Sequence, residues 1–214
     1  MEVQIQFKNP IKQTLIKLRL WYPLSLLRDT PEALRWLKRG YSGAAPSSIK
    51  RMVVRSYLQR FSLKTFVETG TCLGDTLGYV SKSGVRCMSI ELSRELYEAA
   101  CDQFSQNKNV RLVHGDSAQR LPELLEEINE PALFWLDGHY SGGVTACGGT
   151  HTPISAELTA ILKHPKKHII LIDDARCFNG KNDYPHLDNL LREIREDGRY
   201  SVEVSIDIIR LIPP

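Results

Sequence analysis

Five short apolar runs, each followed by a longer stretch of mixed polarity, set the rhythm of residues 64–214. Thr65 to Val67, Val85 to Ile90, Val110 to Val113, Ala132 to Leu136 and His168 to Ile172 are rich in β-branched, aromatic and aliphatic side chains and have the length of buried strands. Helical patterns separate them. Thr71 or Asp75 can cap a helix beginning near Cys72, Ser93 to Phe104 places Leu96, Tyr97 and Ala100 on one face, Thr152-Pro153 opens a helix through Leu162, and His186 to Glu196 makes another. Tyr200 to Ser205 and Ile208 to Ile212 read as two strands joined by a tight turn. The alternation predicts an α/β fold, a doubly wound and mostly parallel sheet in which the final hairpin places an antiparallel strand. Ligands of such sheets bind beyond the carboxyl ends of the strands.

The first 63 residues have a different pattern. Ile11, Leu15, Leu18 and Tyr22 fall at helical spacing, Thr30-Pro31-Glu32 is a helix-start signal for a segment stopping at Gly40, and Ser47 or Ser48 can cap a third helix with Ile49, Val53 and Tyr57 on one face. These helices hold too few apolar residues for a core of their own. The chain is therefore expected to divide into an N-terminal helical extension, 1–63, packed on or covering the crevice of a cofactor-binding domain, 64–214.

Charge follows the same division. The formal net charge is +3, but residues 1–64 carry 13 Lys or Arg against 3 Asp or Glu, a balance of +10 that leaves −7 for the rest. A basic segment suits contact with a membrane surface or an anionic partner, although a solvated helical face explains it as well. No aromatic-interleaved basic run points to nucleic acid. No apolar run is long enough to span a bilayer, and Met1 to Pro10 lacks the apolar core of a secretory signal, so a cytoplasmic location is expected. The five cysteines, at 72, 87, 101, 147 and 177, are odd in number and lack C-x-x-C spacing, as expected of reduced thiols.

The candidate chemistry gathers at the strand ends. Thr65 to Leu77 reads TFVETGTCLGDTL: a strand ending in Glu68, then a turn made by Gly70 and Gly74. The dinucleotide fingerprint needs a glycine two residues after the first, and Cys72 stands there. An E-x-G-x-x-x-G turn with an acid at the strand end suits a cofactor with a cationic end, such as the sulfonium of S-adenosylmethionine. The same residues also suit a tight turn with no ligand. Glu91 ends the second strand 23 positions after Glu68, where an acid reaches the ribose hydroxyls of a nucleotide bound over the first turn. Gly115-Asp116-Ser117 follows the third strand, and Asp137-Gly138-His139 follows the fourth and opens a long glycine-rich loop of the length expected of a lid or binding loop. Asp173-Asp174 ends the fifth.

The whole pattern, from Lys64 to Pro214, resembles the class I S-adenosylmethionine-dependent methyltransferases, with their Rossmann-like fold. The resemblance implies that Glu68, Gly70, Thr71 and Gly74 wrap the methionine part of the cofactor, that Glu91 holds the ribose, that Asp116 and Ser117 meet the adenine, and that Asp137 lies near the reacting methyl. A narrower resemblance is to metal-dependent O-methyltransferases of the catechol and macrolide-sugar type, which place one acid after the fourth strand and an adjacent pair after the fifth. It implies magnesium at Asp137, Asp173 and Asp174, since converging carboxylates repel unless a positive charge lies between them. Arg176 could supply that charge instead. His139 is the candidate base; His114, His151, His164, His168 and His186 have weaker claims and are expected mostly at the surface. The implied activity is O-methylation of a small polyhydroxylated acceptor, such as a sugar. The competing readings are a NAD-binding oxidoreductase and a non-catalytic cofactor-binding module that uses its basic N-terminus for interaction.

Overall fold

The computed structural model describes residues 21–41, 43–138 and 152–214. Its elements run α1 (Trp21–Lys38), α2 (Ser47–Arg60), β1 (Thr65–Thr69), α3 (Asp75–Ser81), β2 (Arg86–Glu91), α4 (Arg94–Phe104), β3 (Val110–His114), α5 (Ser117–Leu125), β4 (Leu133–Leu136), α6 (Ile154–Lys163), β5 (Ile169–Ile172), a 3-10 turn (Ala175–Cys177), α7 (Leu187–Asp197), β6 (Ser201–Ser205) and β7 (Ile208–Ile212). The sheet order is β3-β2-β1-β4-β5-β7-β6, parallel from β3 through β5, with β7 antiparallel to both of its neighbours. The chain winds outward in both directions from the β1/β4 pair, so the crevice of this doubly wound sheet opens there.

Alternation along the strands divides the core in two. Val67, Met88, Ile90, Phe134, Leu136, Ile170 and Ile172 pack with α5, α6 and α7, while Phe66, Cys87, Leu133, Trp135, Ile169 and Leu171 pack with α2, α3 and α4. Both faces are covered, which is why the strands read as continuous apolar runs. Within α2, Val54, Tyr57 and Leu58 belong to the second cluster, so this helix helps to build one face of the sheet.

Three local expectations are corrected. The Thr30-Pro31 signal does not open a helix: α1 already contains Trp21 and runs through Pro31, which forgoes one backbone hydrogen bond inside an existing helix. Pro46, not Ser47 or Ser48, precedes α2 without a side-chain cap, and the buried face is set by Ser48, Arg51, Val54, Tyr57 and Leu58 rather than by Ile49 and Val53. The helix after the glycine turn starts at Asp75 with Gly74 as its cap residue, because the Thr71 hydroxyl is engaged by Ser89 instead. The segment from Ile11 to residue 20 lies outside the described residues. Among the described residues, no helix is long and apolar enough to cross a membrane.

Candidate functional site

Backbone ladders carry each strand one residue past its end and so hold the turns in register. Gly70 N–H donates to the Ile90 carbonyl (2.9 Å), Gly115 to Glu91 (2.9 Å), Asp137 to Thr69 (3.1 Å) and Asp173 to Leu136 (3.0 Å). The acid-bearing ends of all five strands from β1 to β5 are thereby aligned along one edge of the sheet.

At the first turn, Gly70 has φ +83°, and a Cβ there would lie 2.5 Å from the Asp137 carbonyl oxygen. Only glycine lets the β1 and β4 turns approach this closely. Gly74 is tight for another reason: its Cβ would meet the Phe104 ring at 2.8 Å, so this glycine admits α4 against the turn.

Glu68 is buried and accepts a hydrogen bond from Ser89 Oγ (2.8 Å), which lies 2.7 Å from Thr71 Oγ1. Burial raises its pKa well above the carboxylate range, with Ser89 opposing and the charges of Asp137 and Glu91 adding to the rise. Glu91 accepts from Cys72 N–H and from Ser93 N–H, both at 2.8 Å. Burial lifts its pKa too, against those amides. Cys72 itself adopts a left-handed conformation, φ 47°, and its amide is committed to Glu91. Asp116 caps α5 through Ala118 N–H (2.9 Å), and Ser117 begins that helix, buried. Among the described residues no Lys or Arg forms an ion pair with Glu68 or Glu91.

The β5 end is built differently. By the two-residue period of the strand, Asp173 lies on the Leu171 face, the side covered by α2. There Lys50 Nζ of α2 reaches Asp173 at 2.7 Å and Asp174 at 2.9 Å, and all three side chains are at most 14% exposed. Burial alone would lower the Lys50 pKa, but the two carboxylates outweigh it and hold the ammonium above its usual range. Burial and Asp137 push Asp173 up to about 8, with Lys50 pulling the other way. Asp174, in a left-handed conformation with φ 55°, also meets Arg176 Nη1 at 2.7 Å, and Arg176 pairs in turn with Asp207 in the β6–β7 turn. Asp207 further accepts from Arg176 N–H (3.0 Å), so the hairpin turn is tied to the end of β5.

Glu68, Gly70, Thr71 and Glu91 form one group around the β1 turn; Asp116 and Ser117 border it at the end of β3. Asp173 and Asp174 form a second group, with Asp137 close enough to shift Asp173 electrostatically. The positive charge between Asp173 and Asp174 is Lys50, assisted by Arg176 at Asp174. As arranged, these residues do not fit a bound magnesium ion, which would have to take the place of the ammonium. Among the described residues no three His, Cys, Asp or Glu are grouped to hold a metal.

His139 and His151 lie outside the described residues. His168, expected at the surface with most of the other histidines, is fully buried at the amino end of β5. Its Nδ1 accepts from Ala132 N–H (3.1 Å), its Nε2 lies 2.7 Å from His164 Nδ1, and burial lowers its pKa to about 4. It is a structural group, at the opposite end of the strand from the crevice.

Two residues were missed. Lys50 precedes Val54, Tyr57 and Leu58 by four, seven and eight positions, so a cation sits in an apolar helical stripe, a pattern that signals a buried partner. Glu157 occupies the same kind of place on α6 among Ile154, Leu158 and Ile161. Burial raises its pKa to about 7, and the hydroxyls of Ser117 and Thr69 draw it back.

No family model matches the sequence, and no curated protein does. Solved structures do. A methyltransferase from Podospora anserina, PaMTH1 bound to SAH, is 17% identical with a TM-score of 0.60, over 88% of this chain and 87% of that one. The O-methyltransferase TomG from Streptomyces achromogenes, in complex with SAM, is 16% identical with a TM-score of 0.55, over 85% and 86%. An O-methyltransferase from Bacillus cereus, in complex with SAH, is 16% identical with a TM-score of 0.57, over 85% and 89%. Strand order, the antiparallel β7 and these likenesses together give the chain the fold of the class I S-adenosylmethionine-dependent methyltransferases.

Proposed function

We propose that this protein is an S-adenosylmethionine-dependent methyltransferase that methylates an oxygen of a small polyhydroxylated acceptor. The observation that carries the reading is the pair Glu68 and Glu91, two strand-end acids bracketing the Gly70 turn with no ion-paired Lys or Arg of the described chain between them. Glu91 would hold the ribose hydroxyls, and Asp116 and Ser117 the adenine side. Glu68, Gly70, Thr71 and Gly74 would enclose the methionine part, with Asp137 nearest the reacting methyl. Bound there, the cofactor supplies a methyl group activated by its sulfonium.

The chain's own tasks are to align the acceptor oxygen for in-line attack, to exclude water and to take the acceptor's proton. Asp137 follows the β4 end of the crevice, His139 comes two residues later as the candidate base, and the N-terminal segment ahead of α2 is the candidate lid. A cytoplasmic location and a small-molecule partner complete the reading. NAD is disfavoured because the backbone position where dinucleotide folds use a glycine carries the Cys72 side chain, and its amide is bonded to Glu91.

Titration calorimetry of the full chain with S-adenosylhomocysteine, S-adenosylmethionine and NAD tests the proposal. Binding of the first two and not the third is the expected result. Tight NAD binding, or no binding of S-adenosylhomocysteine, would sink it.

A further inference from the structure

We infer that Lys50 is a built-in replacement for a divalent cation at the end of β5, so that the acids there are occupied by the protein's own charge and the site works without metal. The inference deepens the methyltransferase reading, and rests on it for the role of the crevice. The occupancy of the acids by Lys50 stands on geometry alone.

Two adjacent carboxylates at the carboxyl end of a strand repel unless a positive charge lies between them, and Asp137 adds to the repulsion at Asp173. Here an ammonium is already in contact with both, at 2.7 and 2.9 Å. Its approach is fixed by the fold. Lys50 lies one turn before Val54, a buried residue of α2 in the core cluster, and its side chain is only 14% exposed, so α2 delivers the charge to the side on which Asp173 projects. Arg176 adds a second positive group at Asp174, on the side toward Asp207, and the Asp173 carboxylate also accepts from Asp174 N–H (2.7 Å). A divalent ion would therefore compete with an ammonium held by two acids on a largely buried side chain, and would find part of their lone pairs already spent.

The substitution has a consequence for the N-terminal segment. In a metal-dependent site the cation arrives from solution, whereas here it arrives on α2, and the integrity of the acceptor side depends on how that helix is seated.

Manganese serves as the probe because its electron paramagnetic resonance signal separates free from bound ion. With the wild-type full chain, millimolar manganese should remain free and leave the Tm unchanged. In Lys50→Ala the acids lose their ammonium; one equivalent should bind about tenfold or more tighter than to wild type, and manganese should raise the Tm of the variant alone. Lys50→Met, which keeps the apolar stem, is the second variant should Lys50→Ala fail to fold. One equivalent of manganese bound by the wild type and lost in Asp173→Asn would overturn the inference, and so would a folded Lys50 variant that gains no manganese affinity. Calorimetry with S-adenosylhomocysteine in the same buffers keeps the two readings apart: its failure to bind would refute the methyltransferase assignment and leave the manganese result standing.

Discussion

The two groups of acids along the sheet edge, a pair of glutamates and a pair of aspartates, are neutralised in opposite ways. At the β1 and β2 ends, Glu68 and Glu91 are held by a serine hydroxyl and by backbone amides, all of them neutral donors. At the β5 end, Asp173 and Asp174 are held by Lys50 and Arg176, both fully charged. Buried acids that receive only neutral hydrogen bonds keep a raised pKa and gain from a cationic or hydroxyl-rich ligand. Acids already paired with an ammonium gain little from another cation, and lose much if the ammonium is removed. The first group is suited to bind, the second to hold α2 and the β6–β7 turn against the end of β5.

The largest effect expected from this contrast is at Lys50. Removing one member of a buried ion pair strands the other, at a typical cost of 3–5 kcal/mol. Arg176 remains beside Asp174 and the Lys50 side chain is 14% exposed, so Lys50→Ala should cost about 3 kcal/mol, the lower end of that range. Denaturant unfolding checks it. A loss below about 1 kcal/mol, the scale of a surface pair, would mean that the β5 acids are solvated and the contrast is false.

Glu157 sharpens the comparison from the other side, as a buried acid with no ion-paired Lys or Arg among the described residues. Its folded pKa, raised to about 7, lies above the unfolded value, so the native state binds the extra proton. Stability from this group is therefore full below the unfolded pKa, falls as pH rises from about 4.5 to 7, and is lost above, by about 3 kcal/mol in total. Glu157→Gln should remove that pH dependence, raising the Tm at pH 8 and leaving it nearly unchanged at pH 4. Equal Tm changes at both pH values would show that Glu157 does not hold a proton in the folded state.

How far the sequence reveals these sites depends on where each residue's environment comes from. The strand ends were legible because each acid follows its own apolar run, and the runs are continuous because both faces of the sheet are covered. Glu68, Glu91, Asp116, Asp137, Asp173 and Asp174 all fall within two residues of a strand end as expected. The hairpin was legible from two apolar runs separated by Ile206-Asp207, which adopt the left-handed conformations of a tight turn without glycine. Helix phase on α2 was not. Its stripe contains Ser48 and Arg51, polar residues satisfied only by tertiary partners, and a reading by apolar residues alone chose Ile49 and Val53 one position away. The same blindness hid Lys50, whose partners lie 123 and 124 residues further on. Pro31 misled because its preference for a first turn is weaker than the continuity of a helix already formed.

A smaller effect, in affinity instead of stability, is expected at Glu91. Both of its oxygens accept from the turn, so truncation to alanine would loosen Cys72 and Ser93 together with any ligand. Glu91→Gln keeps an acceptor and the shape of the side chain while removing the charge. It should weaken S-adenosylhomocysteine binding by about 1.5–3 kcal/mol, the range for hydrogen bonds to a charged group, with a smaller loss of Tm than Glu91→Ala because one of the two backbone donors keeps its acceptor. Unchanged affinity by calorimetry would remove Glu91 from the cofactor site.

The smallest effect is expected at Arg176, and it tests whether the two cations of the second group are equivalent. Arg176 is 42% exposed where Lys50 is 14%, and its guanidinium bridges Asp174 to Asp207 across the rim. Burial works against its charge, but the two acids hold its pKa above the usual range. Solvent screens much of that attraction, and exposed pairs are worth no more than about 1 kcal/mol. Arg176→Ala also leaves Lys50 on Asp174, and the residue 176 amide still bonds to Asp207, so neither acid is stranded. The expected loss is about 1 kcal/mol, or roughly 2–4 °C in Tm for a chain of this size. Most of it should vanish in molar salt, where the Debye length shrinks to about 3 Å, whereas the loss in Lys50→Ala should persist because its partners are shielded from solvent. Thermal unfolding of both variants at low and high salt decides the matter. If Arg176→Ala proves as costly and as insensitive to salt as Lys50→Ala, the guanidinium and not the ammonium is the principal counter-charge of the β5 acids, and the ranking of the two cations is reversed.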